Sequence, residues 1–129
     1  MTDDAEPREP AIKRLLTHYT EYFGNGEYKF DLLPGHWELL KELERVGGRG
    51  LFVLFRDLTA GNAHVTEIRE VIRLGLVGGG MVPKDAEGLV KTYFDMSPLS
   101  SGMELAINIL GSAIYGREPD QSVVSNDPA

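Results

Sequence analysis

Three consecutive glycines, Gly78, Gly79 and Gly80, stop an apolar helical pattern that runs from Val65. Glycine has no Cβ, populates positive φ freely and weakens a helix interior. A glycine run at a helix boundary therefore suits either a phosphate cradle or a plain chain reversal. The two separate an enzyme from a protein without chemistry. A P-loop follows a strand and continues into Gly-Lys-Ser/Thr, the lysine neutralising phosphate and the hydroxyl holding magnesium. Here a helical pattern precedes the glycines and Met81-Val82-Pro83-Lys84 follows them. A dinucleotide fingerprint needs Gly-x-Gly-x-x-Gly between strand and helix, and neither spacing nor context is present. The reading is a tight helix-to-helix reversal. Lys84, near a helix start, keeps phosphate binding as the rival.

The rest of the chain arranges itself around that reversal. Upstream, Gly24-Asn25-Gly26 places Asn-Gly where a type I′ hairpin turn needs positive φ at both central positions. Tyr28, Phe30 and Leu32 then alternate with Glu27, Lys29 and Asp31, the pattern of a half-buried strand. His18 to Phe23, rich in strand formers, is its partner. Ile12, Leu15, Leu16, Tyr19, Tyr22 and Phe23 also fall at helical spacing, and a short helix over 11–16 fits ahead of the hairpin.

Pro34 suits a first helical position, after which Trp37, Leu40, Leu43 and Val46 form a stripe. Gly47-Gly48 ends that helix through a left-handed residue. Leu51, Leu54, Phe55 and Leu58 predict a second helix, although five apolar residues from Leu51 to Phe55 also suit a buried strand. Thr66 is the expected cap of the third, with Val65, Ile68, Val71, Ile72 and Leu76 facing inward. A fourth opens at Pro83, turns Ala86, Leu89, Val90, Tyr93 and Phe94 inward, and breaks at Pro98. Ser101-Gly102-Met103-Glu104 reads as a capping box for a fifth, Met103 to Tyr115. That helix is apolar nearly all round, as expected at the centre of a bundle or at an interface. The fold class is α+β, an N-terminal β-hairpin packed on a small bundle of about five helices. Residues 1–11 read as a disordered lead, 12–116 as a single domain and 117–129 as a disordered tail.

Composition narrows the function. Apolar residues make up 42% and charged residues 26% of 129, which are globular values and enough to bury a core without staples. With no cysteine, disulfides, thiolate metal sites and cysteine nucleophiles are excluded, and a reducing compartment fits. The net charge of -7 opposes phosphate and anionic membranes, so no nucleic acid and no membrane is the expected partner. No apolar run approaches the roughly 20 residues of a membrane span, and the acidic Met1 to Pro10 lacks a signal-peptide pattern. A soluble cytoplasmic protein that binds another protein is the expectation.

No chemistry-bearing constellation competes with that reading. His18, His36 and His64 do not share metal-ligand spacing. Pairs such as Glu67 and Glu70 or Glu42 and Glu44 fall on what read as solvated helix faces, not in a cleft that would separate two pKa values. No Gly-x-Ser-x-Gly frames a serine. The helices over 51–58 and 66–77 imitate a helix-turn-helix, but the face expected to be exposed, Glu67, Arg69, Glu70 and Arg73, mixes charges where DNA needs cations and amides. No catalytic, metal or cofactor residues are expected, and the protein is read as no enzyme.

From Phe23 to Gly116 the chain resembles the gene transfer agent family of small phage proteins, classed among phage tail assembly chaperones and also labelled tail tube proteins. The matching pieces are the hairpin Gly24 to Leu32, the helix Trp37 to Glu44, Ile72 to Gly80, Leu89 to Tyr93, Pro98-Leu99 and the last apolar helix ending at Tyr115-Gly116. It departs from the family in its long acidic lead and in Pro34-Gly35. The resemblance implies a protein encoded with prophage-like tail genes, which holds the tape-measure protein or the tail tube subunit soluble, or which takes a structural place in the tail. It implies no catalytic residues, and the alternative outside the tail is a small bacterial adaptor or regulator acting through protein or DNA binding. A chaperone of apolar helices needs an apolar groove on a charged body, and Trp37, Leu51, Phe52 and Phe55 crowd together as its candidate lining. The competing reading places the same four residues in the core between hairpin and helices.

Overall fold

The computed structural model describes residues 15–119. The lead, residues 11–14 of the rival helix and the tail from 120 lie outside them. An antiparallel hairpin of β1 (His18–Phe23) and β2 (Gly26–Asp31) is followed by α1 (Glu38–Gly47), α2 (Leu51–Thr59), α3 (Val65–Gly78), α4 (Pro83–Tyr93) and α5 (Leu99–Tyr115). This is the expected α+β order, and Leu51 to Phe55 are helical.

The hairpin turn differs in detail. Phe23 pairs with Gly26, so the loop is Gly24-Asn25. Gly24 has φ 69° and among the described residues no non-glycine residue has positive φ, which is the pattern of a II′ turn rather than the I′ turn expected on Asn25-Gly26. The cause lies across the loop. A Cβ on Gly24 would stand 2.4 Å from the Tyr93 ring, so α4 presses on the first corner and glycine must occupy it. Where β2 ends, buried Asp31 holds the exit: its Oδ1 accepts from Thr17 Oγ1 and from the Leu33 N–H, each at 3.0 Å.

α3 is the hub, packing on β2, α1, α4 and α5 through Ile68, Val71, Ile72, Leu74 and Leu76. α5 buries Leu105, Ala106, Ile109 and Leu110 against α3, α2 and the hairpin, but its ends, Leu99 and Tyr115, are exposed. Val65, expected inward, is also exposed, because it opens α3 ahead of the turn that reaches the core.

The glycine run does reverse the chain. The Gly79 N–H bonds to Gly75 O at 2.9 Å, Gly80 takes φ 116°, and Pro83 opens α4. It also does something the spacing did not announce. A Cβ on Gly78 would lie 1.6 Å from Asp31 O, and one on Gly79 would lie 1.9 Å from Lys29 O. The end of α3 therefore sits backbone to backbone on β2, with Gly75 against Phe30 one turn earlier.

Three helix starts are corrected. α1 begins at Glu38, not Pro34, because Gly35 at φ 107° interrupts a continuous helix, and Trp37 becomes its N-cap. α3 is capped at His64, whose backbone N–H donates to Glu67 Oε1 at 2.8 Å, leaving Thr66 inside the first turn. α5 begins at Leu99 directly after Pro98. Ser101 Oγ therefore donates to Pro98 O at 3.0 Å, and no capping box forms at Ser101.

Candidate functional site

The four residues expected to line a groove occupy three different environments. Trp37 at the start of α1 is 71% exposed, and it shares an open depression of about 260 Å³ with Leu51 at the start of α2. Leu40 lies between them, and Lys41 and Glu44 form the polar rim. The sequence builds this locally. Gly48, at φ 70°, turns the chain back, and Glu44 Oε2 then accepts the Leu51 N–H at 3.0 Å, fastening the start of α2 to the flank of α1. That carboxylate also complements the positive end of α2, whose cap residue Gly50 has no side chain to offer.

Phe52 points away from the depression's parent core and is 72% exposed, beside exposed Val53 and Arg56 on the same helix. Phe55 turns the other way. Its ring meets Tyr115 edge-on with centroids 5.7 Å apart, and a Cβ on Gly111 would touch it at 3.4 Å. Trp37 and Leu51 are thus brought together, Phe52 is left open, and Phe55 is half-buried in the seam between α2 and α5. Tyr115, itself 65% exposed, completes that seam and was missed by sequence reasoning. Its signal was a large amphipathic ring on the last turn of an apolar helix.

These environments predict different costs. Phe55→Ala is expected to lower stability by about 2 kcal/mol, since half a seam contact is lost. Phe52→Ala is expected to stay within about 0.5 kcal/mol of the parent, because its ring faces water. Urea denaturation of both variants checks the ordering; a larger loss at Phe52 would place its ring in a core contact.

Next to this surface lies a partly buried ionic knot. Arg49, in the α1–α2 turn, donates from Nη1 to Glu67 Oε2 at 2.7 Å and from Nη2 to Glu67 Oε1 at 3.0 Å, while its Nε reaches Asp57 Oδ2 at 2.8 Å. Glu67 is 3% exposed. Burial alone would raise its pKa, but the two Arg49 bonds and the His64 N–H outweigh it and hold the carboxyl below its ordinary value. The face expected to be exposed and mixed in charge is therefore corrected. Glu67 is inside, Arg69 is bound to Asp95 and Glu87 at 2.9 Å each, and Arg73 is bound to Glu70 at 2.7 Å. Burial of α3 in the hub consumes these charges as braces.

The histidines lie apart, His18 on β1, His36 accepting the Glu38 N–H at Nδ1 and His64 capping α3. Among the described residues no group of three histidine, aspartate or glutamate side chains is placed to hold a metal ion. Nor is any helix among them long and apolar enough to cross a membrane.

The arrangement is an exposed apolar surface at the starts of α1 and α2, on a small helical body with a hairpin at one side. A family model described as phage tail tube protein, GTA-gp10, matches residues 18–116, from the first residue of β1 to the glycine that ends α5. The chain belongs to that family. Comparisons with curated proteins and with solved structures return no match.

Proposed function

We propose that this protein is a non-enzymatic assembly factor of a phage-like tail, a cytoplasmic chaperone that keeps the tape-measure protein or the tail tube subunit soluble until it joins the tail. The observation that carries the reading is the exposed apolar surface at the starts of α1 and α2, with Trp37 and Phe52 each more than two-thirds open to solvent. Large aromatic side chains left open on a well-buried body mark a partner site. The net charge of -7 keeps a chaperone and its apolar cargo in solution together. A second reading, a structural subunit of the tail, is favoured by the family's own description as a tail tube protein.

Co-expression decides between them. The tape-measure protein and the tail tube subunit from the same gene cluster are each produced with and without this chain. The chaperone reading expects one of them to be insoluble alone and to co-purify with this chain as a soluble complex, absent from finished particles. Stoichiometric recovery of this chain in purified particles, with no soluble complex, would support the structural reading instead.

A further inference from the structure

The hairpin carries a surface separate from the α1–α2 depression. Phe23 and Gly26 close the two-residue loop as a hydrogen-bonded pair, so alternation turns the backbone groups of His18, Thr20 and Tyr22 away from β2. At the base of this outer edge the chain's own C-terminal segment is already paired. The Leu16 N–H donates to Arg117 O at 2.8 Å, the Arg117 N–H donates to Leu16 O at 2.9 Å, and Arg117 Nε donates to His18 O at 2.6 Å. Further along, Thr20 and Tyr22 are exposed, and their outward N–H and C=O groups have no partner among the described residues.

The open edge runs beside a hollow of about 340 Å³ between the hairpin tip, the end of α4 and the start of α5. No residue of β2 lines it, which places it on the β1 side. Phe23 and Tyr93 form aromatic walls, their rings edge to face with centroids 6.2 Å apart. Glu21, Ser97 and Ser101 bring oxygen atoms. Both serine protons are already given to backbone carbonyls, of Tyr93 and Pro98, so the two hydroxyls offer lone pairs only. Glu21 Oε1 accepts the Tyr19 O–H at 2.6 Å, and no cation among the described residues forms an ion pair with it. The hollow therefore joins a carboxylate that has no ion-pair partner among the described residues to two serine lone-pair sites and aromatic sides.

We propose that the outer edge of β1 is a β-augmentation site, where an extended segment of another protein pairs with Thr20 and Tyr22 and sets a lysine or arginine in the hollow beside Glu21. A residue directly opposite Glu21 on an added strand shares its face, so its side chain enters the hollow. Main-chain bonds supply affinity and the pocket supplies specificity. Phe23 and Tyr93 receive the aliphatic stem while the charged head meets the carboxylate and the serine oxygens. A second copy of this chain is a poor occupant. The His18 carbonyl is taken by Arg117, and the two-fold register that pairs Thr20 with Tyr22 in both directions sets Glu21 against Glu21 of the other copy. Like charges directly opposite destabilise such a pair. The site does not rest on the chaperone reading or on the α1–α2 surface, so each can fail without the other.

The test uses the full chain and two short capped peptides that alternate threonine and valine, one around a central lysine and one around a central glutamate. The lysine peptide is expected to bind about fivefold or more tighter, and to slow hydrogen exchange at the Thr20 and Tyr22 amides. Glu21→Lys is expected to abolish or reverse that preference, with Glu21→Gln intermediate. Tyr22→Pro removes an outward donor without removing a β1–β2 bond and is expected to end binding while the fold persists. If Tyr22→Pro unfolds, the Glu21 variants still decide the matter. Equal binding of both peptides, or protection elsewhere in the chain, overturns the proposal. So does a concentration-dependent dimer that protects Thr20 and Tyr22 without peptide.

Discussion

Gly78→Ala is expected to cost the domain about 4 kcal/mol or more, a large share of the stability of any domain this size. The new Cβ would stand 1.6 Å from Asp31 O and 2.7 Å from Leu39 Cδ1. A side chain can rotate away from such a clash, but the Asp31 carbonyl belongs to a paired strand and cannot. The end of α3 would have to lift off β2, opening the contacts of Gly75 with Phe30 and Ile109 behind it. Gly79→Ala meets Lys29 O at 1.9 Å and is expected to behave alike. Gly88→Ala is the control: it sits on the exposed side of α4 with nothing within 4 Å, and is expected to stabilise by about 0.5 kcal/mol or more through helix propensity. Thermal melting of the three variants checks this order. A Gly78→Ala protein that melts with the parent would show that α3 does not rest on the strand.

The second large effect belongs to the Arg49–Glu67 knot. Arg49→Ala strands a carboxylate that is 3% exposed, and removing one partner of a buried pair costs about 3 kcal/mol. Its pH dependence has a definite sign. Glu67 titrates below its ordinary value in the folded protein, so its stabilising effect is complete above the unfolded carboxyl pKa of about 4.3. That effect is lost as pH falls through the lower folded value. Without Arg49, burial pushes the Glu67 carboxyl upward instead, and protonation then relieves the stranded charge. The gap in urea midpoint between parent and Arg49→Ala is therefore expected to be wide at pH 7 and to narrow towards pH 4. A gap independent of pH would mean that Glu67 is not the group left unpaired.

Periodicity made the local plan of this chain legible. Alternation announced β2, 3.6-residue stripes announced the helices, and Gly48 and Gly116 marked ends that the structure keeps. What failed were choices between neighbouring local signals. Pro98 starts α5 before Ser101 can cap it, and Gly35 breaks the helix that Pro34 would have begun. Contacts between distant residues left no periodic trace. Nothing in Gly78-Gly79 names the strand they lie on, and Glu67 looks solvated until Arg49, from the α1–α2 turn, is seen to enclose it. The candidate surface was half legible for the same reason. Aromatic crowding at 51–55 was visible, but which ring faces Tyr115 and which faces water depends on the placement of α5. The open edge of β1 was not legible at all, because strand patterns do not say how many strands a sheet will hold.

We propose that the starts of α1 and α2 hold a tail protein. This placement is tested most directly by titrating the double variant Trp37→Ala, Phe52→Ala against the tail protein that co-purifies with the parent chain. The expected result is an unchanged melting temperature and affinity weakened about 100-fold or more, as follows when two exposed aromatic anchors are removed. A double variant that folds and binds like the parent would contradict it.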